Sequence, residues 1–265
     1  MLLNYRLFFY FLLIFLSLVY ISCGKSALDP GNNDAIKNKF TASVNLYSSD
    51  NWEEREKAVI DLYYYKNSFY SRNILLFFLK ASEDRHSAVR IKAINGLHLM
   101  PDPAALERLR IMAREDPKAN VRWHAIQALA DYRIKENEEL FIESFKSSDW
   151  LIREAAIVGL LKINNPESQI RNILLIKDGL NDPVISVRLA TLQNLELKNE
   201  LFYPDITKII NDTQSSHSIL KAALSAIKGY RLDYNTRDRL ITLLTHYESE
   251  IRIEAFRALK EEPPE

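Results

Sequence analysis

One register recurs through most of this chain, and it limits the possible folds more than any other feature. Its clearest copy is Asp116 to Leu129, DPKANVRWHAIQAL, in which Val121, Ala125, Ile126 and Leu129 share one helical face. Asp116 is suited to cap backbone N–H groups there, and Pro117 to open the helix. With Arg122 as marker, the same register falls on Arg55, Arg90, Arg153, Arg188, Leu220 and Arg252, at intervals of 35, 32, 31, 35, 32 and 32 residues. Three places after each marker stands a small residue: Ala58, Ala93, Ala125, Ala156, Thr191, Ala223 or Ala255. An apolar residue follows each time, and four places after the small one stand Leu62, Leu97, Leu129, Leu160, Leu195, Ile227 and Leu259. A single helix of this kind cannot bury its apolar face, so the copies must stack on one another.

Between the marked helices lie seven further helical segments. Their approximate spans are Asp34–Tyr47, Phe69–Ala81, Asp102–Arg114, Glu136–Lys146, Glu167–Gly179, Leu201–Asn211 and Tyr234–Tyr247. Asp-Pro pairs at 102–103, 116–117 and 182–183 read as helix starts with an acidic cap. The expectation is an all-α, right-handed superhelical solenoid of seven helix pairs over residues 34–265, with one continuous core, first helices outside and second helices lining the concave side.

A period near 33 also suits tetratricopeptide and ankyrin arrays, but neither the Trp–Leu–Gly–Tyr pattern nor T-P-L-H is present. The recurring phrase, an Asp and then V-R-x-x-A-x-x-x-L, resembles the short HEAT-like repeats, close to those of phycobilisome lyases. The resemblance covers roughly Asp34 to Glu261. It implies an armadillo-like fold and leaves activity open, because that family holds scaffolds, binders and a few enzymes.

The first 22 residues are of another kind. Arg6 is their only charge, and Leu7 to Ile21 is apolar apart from Ser17, the length of a signal-peptide core. Ser22-Cys23-Gly24 follows, and Cys23 is the chain's one cysteine. This resembles a bacterial lipoprotein signal, with Tyr20 where the commoner pattern has Leu. The resemblance implies that Cys23 is acylated and becomes the new N-terminus in the cell envelope, on the inner or the outer membrane. An uncleaved anchor helix and an ordinary secretory signal are the alternatives. Residues 23–33 read as a polar tether, whose ten residues from Gly24 reach roughly 30 Å when extended.

Charge excludes some partners. Lys and Arg total 35 against 35 acids, which argues against a nucleic-acid binder. From Cys23 onward the balance is near −1, so electrostatic adhesion to an anionic membrane is not expected to matter beside a lipid anchor.

The repeated arginines invite two readings. Acids stand in most turns before the marked helices, as Asp50, Asp84, Asp116, Asp149, Asp182 and Glu248. Arg55, Arg90, Arg122, Arg153, Arg188 and Arg252 can therefore form a structural ladder, bridging acids and turn carbonyls of neighbouring repeats. A ligand-binding arginine row is the other reading. Leu220 breaks the rule, which predicts a weaker or kinked junction at the sixth repeat.

No catalytic constellation emerges. His86, His98, His124, His217 and His246 are scattered in sequence, none is followed by Glu, and H-E-x-x-H and glycine-rich phosphate loops are absent. No metal ligands and no cofactor are expected, and the chain reads as a non-enzyme. The runner-up is an enzyme or enzyme accessory of the lyase-like class, and a purely architectural envelope lipoprotein is a third reading.

The positions one and five places after each marker lie off the buried stripe. They hold Ile60, Ile91 with Asn95, Trp123 with Gln127, Val158, and Leu189 with Gln193, while Glu56 and Arg257 stand at the two ends. Apolar anchors among amides suit a groove for a protein or peptide partner. The competing reading packs them as core between adjacent second helices. The clusters Tyr63-Tyr64-Tyr65 and Phe77-Phe78 read mainly as core packing.

Overall fold

The computed structural model describes residues 30–163 and 169–264. The segment read as an export signal, Cys23 and the first part of the stretch read as a tether lie outside the described residues. Within them the chain is all-helical, with fourteen α-helices and no strand. In order these are α1 (Pro30–Tyr47), α2 (Trp52–Asp61), α3 (Ser71–Ala81), α4 (Ser87–His98), α5 (Pro103–Glu115), α6 (Ala119–Asp131) and α7 (Glu138–Phe145). They continue as α8 (Trp150–Ile163), α9 (Gln169–Leu180), α10 (Ile185–Gln193), α11 (Tyr203–Asn211), α12 (His217–Ala226), α13 (Tyr234–Leu243) and α14 (Ser249–Lys260). Odd-numbered helices are the first of each pair and even-numbered helices the second. The marker residue is the fourth residue of all seven second helices.

Two local expectations are corrected. α1 begins at Pro30, so the last four residues read as tether are helical. Proline's fixed φ suits that first position. The second correction concerns Asp116 and Asp182, which do not cap helices. α6 starts at Ala119 after Lys118, and α10 at Ile185 after Val184. Each aspartate instead closes a turn ahead of the helix, accepting the N–H of Lys118 (3.0 Å) or Val184 (2.8 Å). Only at Asp102-Pro103 does the carboxylate accept from the first turn, at the Ala104 N–H.

The repeat count led to one undivided array, but the packing divides the chain into two compact units, one ending at Leu106 and the other beginning at Glu107. In the first unit α2 lies along α4, α1 packs on α2 and α3 on α4. Val59, Leu62, Ile74, Phe78, Ile94 and Leu97 form its buried centre. Phe77 adds an aromatic layer, with Tyr47 at 5.1 Å and Phe40 at 6.4 Å between ring centres.

In the second unit the even helices follow one another, α6 on α8, α8 on α10, α10 on α12 and α12 on α14. The odd helices α7, α9, α11 and α13 each pack on the second helix of their own pair. Fully buried Ile126, Leu129, Phe141 and Ile157 sit where these layers meet. Each such side chain contributes about 1.5–3 kcal/mol by leaving water. Leu220, in the arginine register of the sixth repeat, is itself buried. Four places after the marker, Val59, Ile94, Ile126, Ile157, Leu192 and Leu224 are at most 3% exposed, whereas Phe256 is 58% exposed.

Candidate functional site

The arginines make one repeated contact. Each donates Nη1 to the backbone carbonyl six places back, Arg55 to Ser49, Arg90 to Asp84, Arg122 to Asp116, Arg153 to Ser147, Arg188 to Asp182 and Arg252 to His246, at 2.6–3.0 Å. These carbonyls belong to the turn before the arginine's own helix, so the guanidinium ties a helix to its entry loop. Arg55 and Arg153 also reach the next repeat. Arg55 forks onto Asp84 at 2.7 and 2.9 Å, and Arg153 onto Asp182 at 2.7 and 3.0 Å.

The turn acids therefore fall into two kinds. Asp84, Asp116 and Asp182 each stand six places before the following marker, and Asp84 and Asp182 lie within reach of the arginine 29 residues earlier. At that place before Arg153 stands Ser147, and before Leu220 stands Gln214, so Arg122 and Arg188 meet no carboxylate there. Asp149, two places nearer its marker, accepts the Leu151 N–H instead, and Asp50 pairs with Arg85 at the surface. Burial by itself would raise the carboxyls of Asp84 and Asp182. The arginine forks and the His86 and Val184 amides outweigh it and hold both below the ordinary aspartate range.

Of the positions read as a groove, the apolar ones are half-buried and the amides exposed. In the first unit Ile60 and Ile91 are half-buried and Asn95 is exposed; Glu56 is half-buried and pairs with Lys92 at 3.5 Å. In the second unit Trp123, Val158 and Leu189 are half-buried, with Gln127 and Gln193 exposed beside them. Arg257 is exposed and pairs with Glu254 at 2.8 Å. The Trp123 ring meets His124 edge-on at 4.6 Å. Its indole nitrogen is closed off from solvent and completes no hydrogen bond of normal geometry. Burial raises the Glu154 carboxyl, one marker step along on α8, and the neighbouring Trp123 N–H holds back part of that rise.

Further along the second helices, a cleft of about 520 Å³ opens between α10, α12 and α14. Its walls include Gln193, Lys221, Ser225, Glu250 and Glu254. Lys221 and Ser225 occupy the same two register positions as Trp123 and Gln127, yet the sequence reading gave them no role. The sequence signal for this cleft was size. Ser225 is a small side chain where the neighbouring repeats carry Gln193 and Arg257. Lys221 pairs with Glu250 at 2.6 Å, and Glu254 with Lys228 at 2.5 Å.

Two histidines read as scattered come together. The rings of His217 and His246 lie 5.5 Å apart, because both stand at the entry to consecutive second helices. Tyr247 hydrogen-bonds His217 Nε2, and Glu248 lies 3.7 Å from Nδ1. Among the described residues no group of three His, Cys, Asp or Glu side chains is placed to hold a metal ion. Also among them, no helix is long and apolar enough to cross a membrane. Of the tyrosine run, Tyr63 packs on Phe78 and Tyr64 is exposed, while Phe77 and Phe78 are buried.

A family profile described as HEAT repeats matches residues 42–130 and 109–196, together more than half of the chain. Among solved structures, the Escherichia coli protein YibA is similar at a TM-score of 0.57 and 15% identity, over 91% of this chain and 95% of that one. Kap95p, in its complex with RanGDP, is similar at a TM-score of 0.60 and 11% identity, over 92% of this chain and 38% of Kap95p. The phycocyanin lyase complex of CpcE and CpcF from Nostoc sp. gives a TM-score of 0.51 and 17% identity, over 82% of this chain and 92% of that one. No curated protein matches by sequence similarity.

Proposed function

The chain belongs to the HEAT-repeat family, and on that premise we propose that it is a scaffold that binds a protein or peptide on its second helices and is held to a membrane through lipid on Cys23. The observation that carries the binding half is the pattern of exposure along the second unit. Trp123, Val158 and Leu189 are each partly open, and exposed Gln127 and Gln193 stand next to them. A side chain in that state still has apolar area to bury, and amides beside it supply donors and acceptors for a backbone. The arginines, by contrast, are engaged with their own turns, which favours a structural role for them over a ligand row.

Kap95p in its complex with RanGDP is a precedent for protein binding on a similar fold, while the CpcE and CpcF complex of a phycocyanin lyase is the precedent for the second reading, an enzyme or enzyme accessory. The anchoring half rests on the apolar run from Leu7 to Ile21 and the Ser22-Cys23-Gly24 that follows it. Two or three acyl chains bind a membrane far more firmly than one, so Cys23→Ala should abolish lipid labelling and move nearly all of the protein out of the detergent phase. Unchanged partitioning, with the first 22 residues still attached, would instead make the segment an uncleaved anchor. Bacterial envelope localisation follows from the same reading.

A further inference from the structure

We propose that the α1/α3 face of the first unit rests on an anionic lipid surface. The loop before α3 supplies the first observation. Tyr63, Tyr64 and Tyr65 form a 3-10 turn, in which successive side chains point about 120° apart. Tyr63 is drawn inward, where its ring packs 5.8 Å from Phe78 and its hydroxyl donates to the Lys92 carbonyl at 2.6 Å. Tyr64 is thereby turned out and is 88% exposed; Phe69, five residues on, is 83% exposed. On α3, Arg72, Leu76 and Lys80 follow one another at intervals of four, which puts them on one exposed stripe, and Leu76 is 56% exposed.

Charge supplies the second observation. From Leu62 to Ala81 there are three basic residues, Lys66, Arg72 and Lys80, and no acid, with Asp61 before this stretch and exposed Glu83 after it. On α1, exposed Lys37 and Lys39 stand against Asp34. Among the described residues none of these five cations closes an ion pair. α1 and α3 form one layer, joined by stacked Phe40 and Tyr70 at 5.8 Å and by Lys80 over the Tyr47 ring at 5.9 Å. α2, in the other layer, reverses the balance, with four acids against two bases. The near-neutral total of the chain therefore hides a basic face.

Exposed tyrosine, phenylalanine and leucine among unpaired cations are the composition of a membrane-interface surface. The aromatic rings suit the headgroup level, and the cations suit anionic headgroups. An acidic protein would satisfy the charges equally well, but lipid also accommodates protruding side chains without needing a shaped pocket for them. The inference rests on the proposed anchoring for its nearness to a membrane. It adds an orientation, with the first-helix layer toward lipid and the second helices of this unit away from it.

The test places p-benzoylphenylalanine at Phe69 in the full chain, and separately at Tyr234, which is 80% exposed in the other unit. Each protein is added to vesicles of phosphatidylcholine alone or with about a third phosphatidylglycerol, and irradiated. The expected result is lipid adducts at position 69 that are at least about fivefold more abundant on the anionic vesicles, with few at position 234. Arg72→Glu with Lys80→Glu should cut the position-69 adducts by about tenfold or more at unchanged helicity, and the Gln pair by less. Equal adducts on both vesicles, equal adducts at 69 and 234, or adducts to a protein when native membranes are used would each overturn the proposal. Flotation with phosphatidylcholine vesicles reads the anchor separately, since it does not depend on the cationic face.

Discussion

Arg153 and Asp182, 29 residues apart, close a two-point ion pair at 2.7 and 3.0 Å, while the same guanidinium holds the Ser147 and Ser148 carbonyls at 2.9 Å. One side chain thus fixes its own entry turn and the turn of the next repeat. Arg122 holds only the Asp116 carbonyl, at 2.7 Å. Both lie in the second unit, so their truncations can be compared in one unfolding transition. Arg153→Ala leaves a carboxylate 5% exposed without its partner and should cost about 3–5 kcal/mol. Arg122→Ala removes one charge-assisted bond and should cost about 1.5–3 kcal/mol. Urea midpoints of the two variants test the order; equal losses would mean that the fork adds nothing.

Acid should weaken the same joint. Asp182 titrates below its ordinary range in the folded protein, because the Arg153 fork and the Val184 amide outweigh its burial. Its unfolded form binds protons more readily, so it stabilises above the unfolded aspartate value of about 3.9, and that contribution is lost as pH falls through the lower folded value. Melting temperature should therefore drop on acidification below about pH 4. Asp182→Asn should be less stable at neutral pH and should show a shallower fall.

Glu154 should behave in the opposite sense. Burial raises its carboxyl, so at neutral pH the ionised form opposes folding. Stability from this group is present below the ordinary glutamate value of about 4.3 and declines as pH rises through the folded one. Glu154→Gln should raise the melting temperature at pH 7, and the gain should vanish near pH 4. A loss at pH 7 would show that the Trp123 contact depends on the charge.

Gly159 offers a packing test. A Cβ built on it would lie 2.8 Å from three atoms of the buried Phe141 ring, in the first helix of the same pair. Alanine normally favours a helix over glycine by about 1 kcal/mol. Here overpacking should outweigh that, with Gly159→Ala destabilising by about 1–3 kcal/mol, as read by thermal melting. Phe141→Leu in the same background should recover part of the loss.

The helix pairs were legible in the sequence because burial imposes a strict period. Seven copies of one apolar stripe leave few alternatives, and the markers fall on the fourth residue of every second helix. Cap chemistry was less legible. Asp116 and Asp182 look like helix caps beside proline, but their carboxylates close turns ahead of the helix. The Arg55 and Arg153 ion pairs use a single register place, six before the marker, where Asp84, Asp116 and Asp182 differ from Ser147 and Gln214. That distinction is present in the chain but acquires meaning only when Arg55 and Arg153 are seen to reach it. The division after Leu106 left no composition shift to read. The cleft by Ser225 arises from side chains too small to fill a space, which periodicity does not record. His217 and His246 come together only because consecutive second helices start side by side.

Trp123 tests the binding account most directly. The partner that co-purifies from solubilised membranes with the unaltered protein is identified, and its affinity is then titrated against Trp123→Ala, with melting followed on the same sample. Central aromatics dominate interface energy, so affinity should fall by about 2 kcal/mol or more, roughly thirtyfold, while melting shifts less than the 3–5 kcal/mol expected of a fully buried tryptophan. Exposed Gln127→Ala should leave melting unchanged. Unaltered affinity in Trp123→Ala, or a loss of affinity that only follows unfolding, would contradict a partner site on the second helices.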